Sequence, residues 1–131
     1  MGAVESVHNY IDFDRFIIRK GAISSLPGEM MVIPLNMHDG TLICEGEGNP
    51  EWNFSAPHGA GRIMSRRQAK RELSLKDFEK QMSGIFSTSV CASTLDEAPD
   101  AYKPSEEIIE ALAPTARIID RILPIMNLKD K

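Results

Sequence analysis

Seven of the nine glycines and four of the eight prolines in this 131-residue chain fall between residues 20 and 61. Neither residue sits well inside a long strand or helix, so this half of the chain is confined to short segments joined by tight turns. Phe16-Ile17-Ile18-Arg19 and Met31-Val32-Ile33 read as two such strands, with Gly21 and the Pro27-Gly28 dipeptide as turns between them. Thr41-Leu42-Ile43-Cys44 reads as a third. It follows a turn at His38-Asp39-Gly40, where an Asp-Gly pair tolerates positive φ.

Beyond Gly61 the punctuation changes to helix starts. Ser65-Arg66-Arg67-Gln68 is a capping-box sequence and predicts a short basic helix. Ser74-Leu75-Lys76-Asp77 repeats the device, and Leu75, Phe78 and Met82 share one helical face, predicting a second helix to about Gly84. Ser105 with Glu106 and Glu107 in a first turn, then Ile108, Ile109 and Leu112, predicts a third that stops before Pro114. From Ala116 to Leu123 the apolar pairs fit a helix, while the Pro114 and Pro124 brackets and the isoleucines favour a strand. The expected fold is α+β, with small mixed sheets flanked by short helices and residues 1–131 forming one unit.

With 42% hydrophobic and 26% charged residues, the chain has the composition of a soluble globular protein. It holds no run of about 18 apolar residues, which excludes a membrane helix. Met1-Gly2-Ala3-Val4 does not begin a basic stretch followed by an apolar one, so the expected location is cytoplasmic. Cys44 and Cys91 lack zinc-site spacing and read as structural thiols. A net charge of −4 argues against a general nucleic-acid coat. Between His58 and Arg71, however, there is no acid, and the window holds Arg62, Arg66, Arg67, Lys70 and Arg71. One local basic site is implied.

Inside that window lies the most informative string, Ser55-Ala56-Pro57-His58-Gly59-Ala60-Gly61-Arg62-Ile63-Met64-Ser65-Arg66. A histidine followed by Gly-x-Gly and a capped helix puts an imidazole beside backbone amides that can cradle an anion. Arg62 and Arg66 could add bidentate contacts to phosphate oxygens. Read this way, the string is a phosphate site with a nucleophile or general base in its mouth. Read structurally, it is a Gly-x-Gly turn whose histidine caps the turn, followed by a basic helix with a solvated face.

The string resembles the RtcB family of RNA ligases, and the resemblance covers nearly the whole chain. Beside it stand Val7-His8-Asn9-Tyr10, Arg19-Lys20-Gly21-Ala22, Ile33-Pro34, Asn36-Met37, Asp39-Gly40, Leu95-Asp96-Glu97-Ala98-Pro99, Ala101-Tyr102-Lys103 and Lys129. Their order is similar to the C-terminal third of that family, so the fold implied is the C-terminal part of a larger RtcB-type fold. The resemblance implies a manganese-dependent reaction in which a histidine nitrogen attacks the α-phosphate of GTP and releases pyrophosphate. The GMP then passes to an RNA 3'-phosphate, made by opening a 2',3'-cyclic phosphate, and a 5'-hydroxyl displaces it to join the strands. His58 would be the nucleophile and His8 a metal ligand. Asn36 and Thr41 would face the guanylate, although Pro34-Leu35-Asn36-Met37-His38 departs here from the family's Pro-Gly-Ser-Met-Gly form. Ala60 and Gly61 would present backbone to the nucleotide, Tyr102 would pack on guanine and Lys129 would recognise the base. His38 receives no role.

The family's other metal ligands, an aspartate, a cysteine and further histidines, lie upstream of the residues present here. The expectation is that this piece alone neither takes up GMP nor joins RNA, since firm metal binding needs several donors. An apolar face left uncovered would favour self-association. Two other classes stay open: a non-enzymatic nucleotide- or RNA-binding module that tolerates His58→Ala, and an inert truncated product with little folded structure.

Overall fold

The computed structural model describes residues 3–129. Twelve regular elements follow one another: β1 (Tyr10–Asp12), β2 (Ile17–Arg19), β3 (Ala22–Ser24), β4 (Met30–Pro34), β5 (Thr41–Gly46), β6 (Ser55–Pro57), α1 (Arg66–Glu72), α2 (Leu75–Gln81), β7 (Phe86–Ser87), α3 (Ser105–Leu112), β8 (Ala116–Ile122) and β9 (Met126–Asn127). Short 3₁₀ turns occupy Pro50–Trp52, Ala92–Glu97 and Pro99–Ala101. The result is the expected α+β mixture of small sheets and short helices.

The largest sheet has the order β4-β5-β8, antiparallel throughout, with a register shift at Ile43/Cys44. Residues 116–122 are therefore a strand, as the proline brackets favour. Alternation along β4 and β5 sends Met31, Ile33, Leu42 and Cys44 inward, where Ile108 and Leu112 of α3 close over them. A second, smaller cluster gathers Met37, Phe78, Met82, Leu95 and Ala98 under α2 and the Ala92–Glu97 turn. Cys44 is a core thiol, and burial pushes its pKa up to about 11.

Two antiparallel pairs, β1-β2 and β3-β6, support the site to come. Strand β2 begins at Ile17 because Phe16 takes a positive φ of 56° in the hairpin turn, one residue later than its apolar run suggests. Arg19 is buried at 2% exposure and is the clasp between the pairs. Its guanidinium donates to Tyr10 Oη at 2.9 Å and Asp12 Oδ2 at 3.2 Å on β1. It also donates to Ser55 Oγ at 2.9 Å and the Phe54 carbonyl at 3.1 Å beside β6.

Both serine caps form, with Ser65 accepting from the Gln68 amide and Ser74 from the Asp77 amide. The box at Ser65 is half-made, because the Gln68 side chain turns to Glu72 at 3.1 Å. Helix α2 ends at Gln81, three residues short of Gly84. Ser105 lies inside α3, where it is buried and donates to Asp39 Oδ2. Among the described residues no helix is long and apolar enough to cross a membrane.

Candidate functional site

His58 directly follows β6, and the register that pairs Pro57 with Ala22 brings it beside Gly21. Its Nδ1 lies 2.7 Å from the Gly21 carbonyl oxygen. A carbonyl only accepts, so Nδ1 carries the proton and the neutral ring keeps its lone pair on Nε2. The His8 ring stacks on that of His58, with centroids 4.9 Å apart and planes 20° from parallel. The hairpin thus brings together two histidines 50 positions apart in sequence.

In the Gly-x-Gly segment, Gly59 is required by close packing. Neither Gly59 nor Gly61 is among the residues with positive φ. A Cβ on Gly59 would fall 2.9 Å from the Pro34 carbonyl oxygen, so only glycine lets this loop lie against the end of β4. The Ala60 amide then donates to that same carbonyl at 3.0 Å, and the Gly61 carbonyl accepts from the Lys103 amide at 2.8 Å. The loop is thus tied by backbone bonds to β4 on one side and to Lys103 on the other, and the Ala60 amide serves the fold itself.

Two cavities meet at His58. One, of about 470 Å³, is lined by Asn36, Thr41, His58, Ala60, Tyr102 and Lys129 among others, a size within the usual ligand-pocket range. The second shares His58, Ala60, Tyr102 and Lys129 and adds Gly61, Arg62, Arg66 and Lys70. The expected residues other than His8 therefore line these two spaces, while His8 stands behind His58. Within the first cavity's wall, Asn36 is committed to its own turn. Its Oδ1 accepts from the His38 and Asp39 amides at 2.9 and 2.8 Å, and its Nδ2 donates to Asp39 Oδ2 at 2.8 Å. His38 pairs with Asp39 Oδ1 at 2.8 Å and lines neither cavity.

The acid-free basic window meets acids from elsewhere in the chain. Glu97 accepts from Arg62 at 2.7 Å, Tyr102 Oη at 3.0 Å and Lys129 at 3.1 Å. Asp96 faces Arg66 at 3.5 Å and Lys70 at 3.3 Å. Arg62 also lies 4.7 Å from the Tyr102 ring centroid and donates to the Asp96 carbonyl. Burial opposes ionisation of Glu97, but the hydrogen bonds from Lys129 and Tyr102 and the charges of Lys129 and Arg62 outweigh it and hold its pKa below the ordinary value. Burial, then the bond to Glu97, pushes the Tyr102 phenol up to about 12. Sequence reasoning gave Arg62, Tyr102 and Lys129 separately and missed Glu97, which joins them. The signal available was its place in Leu95-Asp96-Glu97-Ala98-Pro99. Asn127 was missed too: it lines the first cavity and holds the Met37 carbonyl at 2.6 Å.

Comparison with known proteins decides the family. A family model described as tRNA-splicing ligase RtcB matches residues 2–130. The chain belongs to the RtcB family. It is 30% identical over 135 residues to the RNA-splicing ligase RtcB of Escherichia coli (strain K12), covering 98% of this chain and 33% of that protein. It is 34% identical to the RNA-splicing ligase RtcB of Mycobacterium tuberculosis, covering 82% of this chain and 29% of the relative. To the tRNA-splicing ligase RtcB of Aeropyrum pernix it is 33% identical, over 83% of this chain and 27% of the relative. The chain thus spans a third or less of the length of these RtcB relatives.

Among the described residues no group of three or more His, Cys, Asp or Glu side chains is placed to hold a metal ion. The stacked pair of His8 and His58 offers two imidazoles, of which one is already tied to Gly21. These residues do not by themselves fit a manganese site.

Proposed function

We propose that this chain supplies the nucleophile and much of the nucleotide cavity of a GTP-dependent RNA ligase. The ligase joins RNA 2',3'-cyclic-phosphate or 3'-phosphate ends to 5'-hydroxyl ends. The observation that carries the reading is the bond from His58 Nδ1 to the Gly21 carbonyl, at the meeting point of the two cavities. It leaves Nε2 as the basic nitrogen of a neutral imidazole, the form that attacks phosphorus. Nε2 bonds to the α-phosphorus of GTP, the bond from that phosphorus to the bridging oxygen breaks, and pyrophosphate leaves with the electron pair. An RNA 3'-phosphate oxygen then displaces His58 and takes the GMP, and the 5'-hydroxyl of the second RNA end displaces GMP to form the new linkage.

Tyr102, Lys129, Thr41, Asn36 and Ala60 line the first cavity and are assigned to the guanylate, as is the backbone of Gly61, which lines the second. Arg62, Arg66 and Lys70 line the second and are assigned to RNA phosphates. For those contacts they must partly exchange Glu97 and Asp96 for the nucleic acid. Manganese, on this reading, takes His8 and depends on donors outside this chain, so no step is assigned to it here. The expected setting is the cytosol, with broken tRNA-like ends as substrate.

The test replaces the matching third of the Escherichia coli relative with this chain and supplies GTP, manganese and RNA with cyclic-phosphate and hydroxyl ends. The chimera is expected to join the ends, His58→Ala is expected to lower joining by more than about a thousandfold, and the chain alone is expected to join nothing. Efficient joining by the chain alone, or by the alanine chimera, would refute the proposal.

A further inference from the structure

Two strings, Val7-His8-Asn9-Tyr10 and Arg19-Lys20-Gly21-Ala22, line neither cavity. The β1-β2 hairpin sets them side by side, since Tyr10 pairs with Arg19 and the next residues outward are Asn9 and Lys20. Asn9 Oδ1 accepts from the Gly21 amide at 2.7 Å, and the Gly21 carbonyl accepts from His58 Nδ1 at 2.7 Å. Asn9 and Gly21 both have left-handed backbone, with φ of 61° and 65°. Asparagine and glycine enter that region more readily than other residues.

A glycine free to take positive φ is also free to swing its carbonyl. The orientation of the His58 ring depends on that carbonyl, and among the described residues the only other side chain bonded to Gly21 is Asn9. Among the described residues His58 Nε2 has no protein partner, so nothing on the far side of the ring fixes its tautomer. A neutral imidazole in water favours the proton on Nε2, the arrangement that would leave no lone pair there.

We propose that Asn9 is a positioning residue: by holding the Gly21 amide it aims the Gly21 carbonyl, which keeps His58 in the Nδ1–H tautomer with Nε2 basic. The functional consequence rests on His58 being the nucleophile, while the geometric claim can be read without any nucleotide.

The experiment records ring-nitrogen chemical shifts of neutral His58 in the ¹⁵N-labelled chain, without ligand, for the parent, Asn9→Gly and Asn9→Asp. Glycine accepts the left-handed backbone but lacks the acceptor; aspartate keeps both. The parent and Asn9→Asp are expected to show the Nδ1–H form, and Asn9→Gly to shift toward Nε2–H with an otherwise unchanged amide spectrum. A parent in the Nε2–H form, or a folded Asn9→Gly chain that keeps Nδ1–H, overturns the proposal. Should the glycine variant unfold, the parent still decides: a through-bond coupling between the Gly21 amide nitrogen and Asn9 Cγ is expected, and its absence overturns the assignment. In the chimera, Asn9→Gly is expected to slow GMP attachment at least tenfold with little change in KM for GTP, and Asn9→Asp to restore it. If the tautomers behave as expected but no GMP attaches even to the parent chimera, the nucleophile reading fails and the positioning claim stands.

Discussion

Cys91 shows how far a residue's environment can depart from its place in the sequence. Read as a structural thiol, it is half-buried, with Sγ 3.1 Å from Ser93 Oγ and 3.5 Å from Thr94 Oγ1, and these hydroxyls lower its pKa to about 7. Iodoacetamide at neutral pH is therefore expected to label Cys91 and spare Cys44, as peptide mass mapping would show. Glu97 carries a pH prediction. Its folded pKa lies below the ordinary 4.5, so its ionised form favours the folded chain above that pH, and the contribution is lost as pH falls through the lowered value. Urea melts are expected to find Glu97→Gln less stable than the parent near neutrality, with the difference shrinking in acid. His58 and Tyr102, which line the first cavity, were legible because each sits in a distinctive string, and Lys129 beside them was legible through the family resemblance alone. Their partners were not, because Glu97, Asn9 and Gly21 act through bonds that sequence spacing does not display.

At the scale of elements, the serine caps and the apolar stripe of α2 could be read directly, since both depend on near neighbours in sequence. Strands β1, β3 and β6 could not: each has three residues, and they are specified by pairing partners and by Arg19. Arg19→Met, which keeps the apolar stem, is expected to destabilise the chain by roughly 3 kcal/mol in chemical denaturation, because it leaves buried partners without a donor. Nuclear Overhauser contacts between the His8 and His58 rings are expected to weaken in the same variant, since the clasp holds the hairpin to β6. Unchanged stability and unchanged ring contacts would show that the sheets do not need it. The basic window taught a different lesson. Its acid-free stretch is real, yet α1 packs beside the Ala92–Glu97 turn, so Arg62, Arg66 and Lys70 meet Asp96 and Glu97.

On the scale of the whole molecule, the outer part of β8 and the segment beyond it stay open, with Ile122 at 55%, Leu123 at 65% and Ile125 at 88% exposure. This strip lies on the border of the first cavity, which Ile122 and Pro124 help to line. A cavity with an uncovered apolar border suits a chain that spans a third or less of its relatives' length, and for this reason the reaction is assigned to the larger assembly. The central claim concerns one nitrogen atom in that assembly. The chimera, incubated with GTP and manganese without RNA, is to be digested under alkaline conditions that preserve phosphoramidates and mapped by mass spectrometry. GMP on the peptide containing His58, bonded through Nε2 and lost in His58→Ala, is the expected result; GMP on another residue, or attachment that survives the substitution, would contradict it.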